Sequence, residues 1–356
     1  MKKQLLILLI FFTYVLSGND GAYRSSGGII YPINEEVIIL EKEILSFKVE
    51  GDICHVNIQF TFNNPLKENK KVLTGFQAPE PSGDIDEKEK VNRIENFKIF
   101  FENKLLPYTI KWAYEEDGQL YTEKNFTKQE DEENYGIYVY LFEIDFKPGK
   151  NIINHSYSFP ASSNVVFQRE FSYILKTGAK WADKQIKDLT LEIDMGDNQY
   201  FFVRDIFGSE AEWSIVGVGK MKNNNVNDFF KMIRILSGKL NIKVKNLSPT
   251  ENIHFGIVSN KSFGIGRFSN DLLEKKLSFL ETFDFNDNCT KEQLRFFRNV
   301  IYAKYGYNFK DPSLKKIFLQ YDWYIPDPNV KIEEMKLDYS DKILLNKILE
   351  KEKIIN

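Results

Sequence analysis

Two runs of alternating side chains, residues 38–49 and 53–62, meet at Glu50, Gly51 and Asp52. Successive side chains of an extended strand point to opposite faces, so an apolar residue at every second position buries one face and leaves the other to water. Two such runs joined by a short glycine-containing connection predict a β-hairpin. Cys54, Val56, Ile58, Phe60 and Phe62 then share the core face of the second strand. Asn63, Asn64 and Pro65 end it, because proline has no N–H to give a central ladder. The pattern recurs at 97–101 before a turn at Glu102, Asn103 and Lys104, and at 137–146 before Pro148 and Gly149. Further runs follow at 171–175, 189–193, 200–203, 213–218 and 240–244. Short strands spaced by turn residues predict a mainly β chain, with two immunoglobulin-like or related β-sandwich modules at residues 19–165 and 166–260.

The N-terminus reads differently. Lys2 and Lys3 precede an apolar run from Leu5 to Phe12, continued by Tyr14, Val15 and Leu16 and closed by Ser17 and Gly18. This predicts a cleavable signal peptide over residues 1–18 and a secreted or periplasmic mature protein. The run is too short and interrupted for a spanning helix, which needs about 18 or more apolar residues, so no transmembrane segment is expected after cleavage. No cysteine lies there to carry a lipid anchor. Cys54 and Cys289 are the only cysteines; they lie in different parts of the chain and are expected to stay unbridged. With 15% aromatic residues and a formal net charge of −3, the chain is folded and lacks the basic balance of a nucleic-acid binder.

Past residue 289 the period changes from two to three and four. Thr290 and Gln293 form a capping box, Leu294, Phe297, Ile301 and Tyr305 line one helix face, and Gly306 supplies the left-handed residue that ends the helix. Asp311 before Pro312 starts a second, short helix, expected to turn Leu314, Ile317 and Phe318 inward. Pro326 and Pro328 make a rigid connection, and Ser340 or Asp338 caps a last helix through Ile343, Leu344, Ile348 and Leu349. Residues 290–356 thus read as a small α-helical domain, and 261–289 as a linker or docking helix.

The stretch Arg298, Asn299, Val300, Ile301, Tyr302, Ala303, Lys304, Tyr305, Gly306 and Tyr307, with Leu294 before it and Phe309, Trp323 and Tyr324 after it, resembles the YARHG domain of bacterial envelope and secreted proteins. The resemblance implies attachment to a cell-wall or envelope component. Lys304 stands where the family has Arg and Tyr305 where it has His. Asn19-Asp20-Gly21, Gly27-Gly28, Asn64-Pro65 and the run from Phe76 to Pro81 are similar to N-terminal β domains of secreted bacterial proteins, some of which end in such a module. The segment from Tyr173 through Trp181 to Leu189 is similar to their second half.

The candidate binding residues are Arg298, Asn299, Tyr302, Lys304, Tyr305 and Trp323. In one reading Arg298 takes a carboxylate or phosphate through its planar fork, Asn299 adds a directional bond, and Tyr302 and Trp323 stack on sugar. In the other these residues hold the helix to the Trp323-Tyr324 turn, since half-buried Tyr and Trp find partners inside the fold.

Catalytic signatures are few. His55, His155 and His254 lie far apart and are expected to be at the surface or hydrogen-bonded. Gly217 with Gly219 and Gly264 with Gly266 lack the spacing of a phosphate loop and read as turns or strand bulges. The acidic runs Asp84, Asp86, Glu87, Glu89 and Glu130, Asp131, Glu132, Glu133 read as solvated loops without calcium spacing. Neither metal nor cofactor is expected. The sequence therefore points to a non-catalytic envelope protein that binds a cell-wall or glycan component through its C-terminal domain, with an envelope protein as another partner class. Two alternatives stand beside it: a protein-interaction scaffold whose C-terminal module is purely structural, and a hydrolase using two carboxylates.

Overall fold

Gly51, with φ of +63°, turns β3 (Ile39–Glu50) into β4 (Ile53–Asn64), and the two strands pair along their length as the alternation predicts. The structure, a computed structural model, describes residues 26–27, 30–32, 36–77, 92–116, 119–122, 137–163, 167–223, 230–258, 289–321 and 323–355. Five predictions fall outside these residues: the signal peptide, both acidic runs, the Gly264 and Gly266 pair, and most of the 261–289 segment.

The hairpin sits inside a twelve-stranded sheet. From one edge the order is β1 (Ser26–Gly27), β12 (Phe167–Tyr173), β17 (Ile253–Val258), β14 (Gln199–Arg204), β16 (Phe230–Leu247), β13 (Ile186–Asp194), β3, β4, β11 (Gly149–Pro160), β6 (Glu95–Phe101) and β7 (Lys104–Leu105), with β15 (Glu212–Asn223) on the other flank of β16. A second sheet runs β2 (Ile30–Pro32), β5 (Lys70–Gln77), β10 (Ile137–Phe146), β8 (Thr109–Glu116) and β9 (Gln119–Thr122). The two sheets pack face to face: Phe76 and Tyr140 of the smaller meet Phe97 and Tyr157 of the larger, and Phe146 meets Phe62. The large sheet also coils back on itself. Phe47 of β3 lies 5.7 Å from Tyr173 of β12 and 4.9 Å from Phe255 of β17, although three strands separate β3 from β17 in the sheet. Residues 19–165 and 166–260 meet along the parallel pair β3 and β13, where Leu45 faces Leu191, and one apolar cluster runs through both.

Two polar side chains inside this core follow from strand parity. In β3 the register against β4 slips between Leu40 and Lys42, so the core face passes from even residues (Ile38, Leu40) to odd ones (Leu45, Phe47, Val49) and takes Glu43 with it. Tyr173 Oη donates to Glu43 Oε1 at 2.9 Å, and burial pushes the Glu43 carboxyl up to about 8. In β11 the same alternation buries His155 among Phe60, Phe76, Phe97 and Phe142. The expectation of a surface or hydrogen-bonded histidine fails here: neither ring nitrogen has a hydrogen-bond partner among the described residues, and burial brings the imidazole down to about 3. His55 does reach Ser158 Oγ at 3.0 Å, and His254 lies 3.5 Å from Glu170. The Gly217 region is a strand bulge, as predicted. Register slips between Val218 and Gly219, and a Cβ on Gly217 or Gly238 would overlap a carbonyl oxygen of the opposite strand.

The C-terminal helices are α1 (Lys291–Lys304), α2 (Pro312–Phe318) and α3 (Tyr339–Ile354). They enclose a separate apolar cluster around Leu294, Phe297, Ile301, Phe309, Phe318 and Ile348. The Thr290 and Gln293 capping box, the Asp311 cap with Pro312 behind it, and the Asp338 cap are all present. Ile317 departs from expectation at 37% exposed. On a helix of two turns Phe318, stacked between Phe296 and Phe309, fixes the inward line; Leu314 shares it at four residues' spacing and Ile317 is rotated off it. Cys54 and Cys289 are both free and buried.

Candidate functional site

The sequence Tyr302, Ala303, Lys304, Tyr305, Gly306 and Tyr307 is the closing turn of α1. Gly306 has φ of +83°. The Tyr307 N–H donates to Tyr302 O at 3.0 Å and the Gly306 N–H to Ala303 O at 2.9 Å. This is the Schellman arrangement, which satisfies two of the carbonyls a helix end leaves open. Its usual apolar contact is present as Tyr302 and Tyr307 rings set edge to face. Lys304 O, the last helical carbonyl, takes its partner from the sheet.

That partner is Arg234 of β16, which is buried. Its Nη2 donates to Lys304 O at 2.6 Å and to Asn198 Oδ1, its Nη1 to Gln199 O and Ile235 O at 3.1 Å each, and its Nε to Trp323 O at 3.2 Å. A guanidinium has five N–H groups, and all five are used. Every acceptor is neutral, and burial lowers the group to about 10. Beside it Lys220 of β15 donates to Tyr324 O at 3.1 Å. Sequence reasoning missed Arg234, although a signal was there: an arginine inside the apolar run Met232, Ile233, Arg234, Ile235, Leu236 of a strand.

Between the tied surfaces lies a cleft of about 450 Å³. The sheet side contributes Asp197, Asn198, Gln199 and Leu236; the helical side contributes Tyr305, Asn329, Lys331, Glu334, Met335 and Asp338. Arg234 fixes both walls, through Asn198 and Gln199 on one and Lys304 on the other. Tyr305 is held from behind: its hydroxyl donates to Asp341 Oδ2 at 2.8 Å and accepts from the Asp338 N–H at 2.8 Å. Burial and these acidic neighbours push its phenol well above the ordinary range. Lys331 pairs with Glu334 at 2.8 Å.

The six residues singled out in the sequence do not all face the cleft. Arg298 pairs with Glu352 of α3. Asn299 is buried and donates back along its own helix to Arg295 O at 2.8 Å. Tyr302 is half-buried beside them. Lys304 Nζ reaches Asp341 at 2.7 Å. Trp323 lies flat against Tyr321, its buried indole N–H without a hydrogen-bond partner among the described residues. Tyr305 alone of the six lines the cleft. Among the described residues there is no cluster of three or more metal-ligating side chains.

Residues 271–353 match the family model of the YARHG domain. The C-terminal region is a YARHG domain. The stretch that resembles the family's name-giving motif, Tyr302 to Gly306, forms the Schellman turn. YARHG domains occur in extracytoplasmic proteins, and no helix among the described residues is long and apolar enough to cross a membrane. No curated protein matches the chain. Among solved structures, a Legionella pneumophila protein described as a "putative nutrient binding protein" is 20% identical with a TM-score of 0.46, over 93% of this chain and 99% of its own. An M1 zinc metallopeptidase from Deinococcus radiodurans, solved also with a Tyr-Ser-Ala substrate, is 8% identical with a TM-score of 0.26, over 64% of this chain and 43% of its own. Both likenesses are remote, and neither defines a ligand or reaction for this chain. The YARHG domain here is docked, with its signature turn against β16.

Proposed function

We propose that this is a non-catalytic envelope protein, exported by its N-terminal signal, that binds a cell-wall glycan component in the cleft between the β body and the YARHG domain. The observation that carries this reading is the cleft's composition and size. Its volume falls within the roughly 300–1,000 Å³ of small-ligand sites. Its walls combine amides (Asn198, Gln199, Asn329), carboxylates (Asp197, Glu334) and the Tyr305 ring. Amides and carboxylates answer the donors and acceptors of sugar hydroxyls, and an aromatic face covers the apolar side of a sugar ring. Of the six sequence candidates Tyr305 contacts ligand in this reading, and the others hold the domain in shape. The test is titration of the protein, residues 19–356, with soluble peptidoglycan fragments by calorimetry. Saturable heat is expected; none across fragments of different length would reject the reading.

A second reading has one observation in its favour. Arg298, Asn299 and Lys304 all find partners inside the domain, as they would in a protein-interaction scaffold whose C-terminal domain is purely structural. Capture of an envelope protein with no affinity for wall fragments would favour it.

A further inference from the structure

We propose that the β body caps helix α1 from outside the YARHG domain: Arg234 supplies the C-terminal partner that α1 lacks within its own domain, making body and domain one cooperative unit. This goes beyond the ligand reading and holds with the cleft empty. The Schellman turn leaves Lys304 O open, and the guanidinium fills that place from β16. A helix C-terminus carries about half a negative charge, which faces a buried cation whose five acceptors include no carboxylate. The helix end is thus the counter-charge that lets Arg234 stay ionised inside. The same side chain binds two segments of the domain, through Lys304 O and Trp323 O, and holds Asn198 and Gln199 at the start of β14 in the body. Gly306 completes the fit. A Cβ there would come within 2.5 Å of Leu236 Cδ1 and 3.1 Å of Ile325 O, so the glycine that ends the helix at φ of +83° also sits in contact with the sheet.

The test uses the mature full chain. Hydrogen exchange is measured on the wild type, Arg234→Met and Arg234→Lys. Amides of residues 302–307, 323–325 and 327 are expected to exchange about tenfold or more faster in both variants, with β3 and β4 unchanged, because a lysine cannot span five acceptors. Unchanged protection at 302–307, or a loss spread evenly over the whole sheet, would overturn the proposal. Should Arg234→Met fail to fold, a double-mutant cycle decides: Gly306→Ala and Leu236→Ala are made singly and together. Docking predicts that Leu236→Ala recovers part of the loss caused by Gly306→Ala; strict additivity would contradict contact between the two.

Discussion

Burial shifts the ionisation of Glu43 and His155 in opposite directions, and each shift predicts a pH dependence of stability. Unfolded, Glu43 ionises above about pH 4.5; folded, it keeps its proton to about 8. Folding therefore takes up a proton in that window, and stability falls as pH rises through it. Unfolded His155 gains a proton below about 6.5, whereas the folded ring resists to about 3, so stability falls as pH drops through that window. From 4.5 to 6.5 the two slopes cancel. Urea midpoints should form a plateau there and decline on both sides, by up to about 1.4 kcal/mol per pH unit from each group. His155→Phe should flatten the acid limb and Glu43→Gln the alkaline one. Limbs unchanged by those substitutions would assign the behaviour to other groups. A second residue, Asp341, takes hydrogen bonds from both Lys304 and Tyr305, so Asp341→Ala should cost about 1–3 kcal/mol in urea unfolding; a cost near zero would separate that pair from the domain's stability. The core position of Glu43 was partly legible. Glu41, Lys42 and Glu43 interrupt an otherwise alternating run whose apolar parity differs on either side, the mark of an inserted residue. His155 was not legible, because nothing local distinguishes a histidine on a core face from one on a wet face.

At the scale of elements, turns and caps were the most legible features, since they depend on few neighbouring residues. Gly51, Gly149, the Thr290 capping box, Asp311 with Pro312, and Gly306 all do what their chemistry predicts. In the sequence only residues 240–244 of β16 carry the strand pattern. Ser237 and Gly238 look like a turn, yet the strand runs through them for 18 residues, because Gly217 lies opposite and the two backbones approach without side chains between them. Gly238→Val should therefore be more damaging than a glycine substitution at a strand position with ordinary extended backbone. It forces a β-branched residue into φ of +96° against a carbonyl, and a loss of about 3 kcal/mol or more is expected by chemical denaturation. A loss under about 1 kcal/mol would mean that the bulge relaxes freely.

For the whole molecule, pairing distant in sequence was the least legible feature. Nothing in residues 42–48 announces a parallel partner at 188–194, and nothing in α1 announces Arg234, because both depend on how the chain returns in space. The helical region was nonetheless recognisable, since its signature is a local helix ending. The docking contacts change what that signature means here. Residues that could have formed a free binding surface are tied to Glu352, Asp341 and Arg295 O, while Tyr305 is turned to a cleft that exists only because body and YARHG domain meet. Sedimentation with purified peptidoglycan tests this account most directly, comparing the wild type, Asn329→Trp, which fills the cleft, and Arg298→Ala, which alters the α1 surface remote from it. Wild type and Arg298→Ala are expected to pellet with the wall and Asn329→Trp to stay in solution; retention of Asn329→Trp with loss of Arg298→Ala would contradict the account.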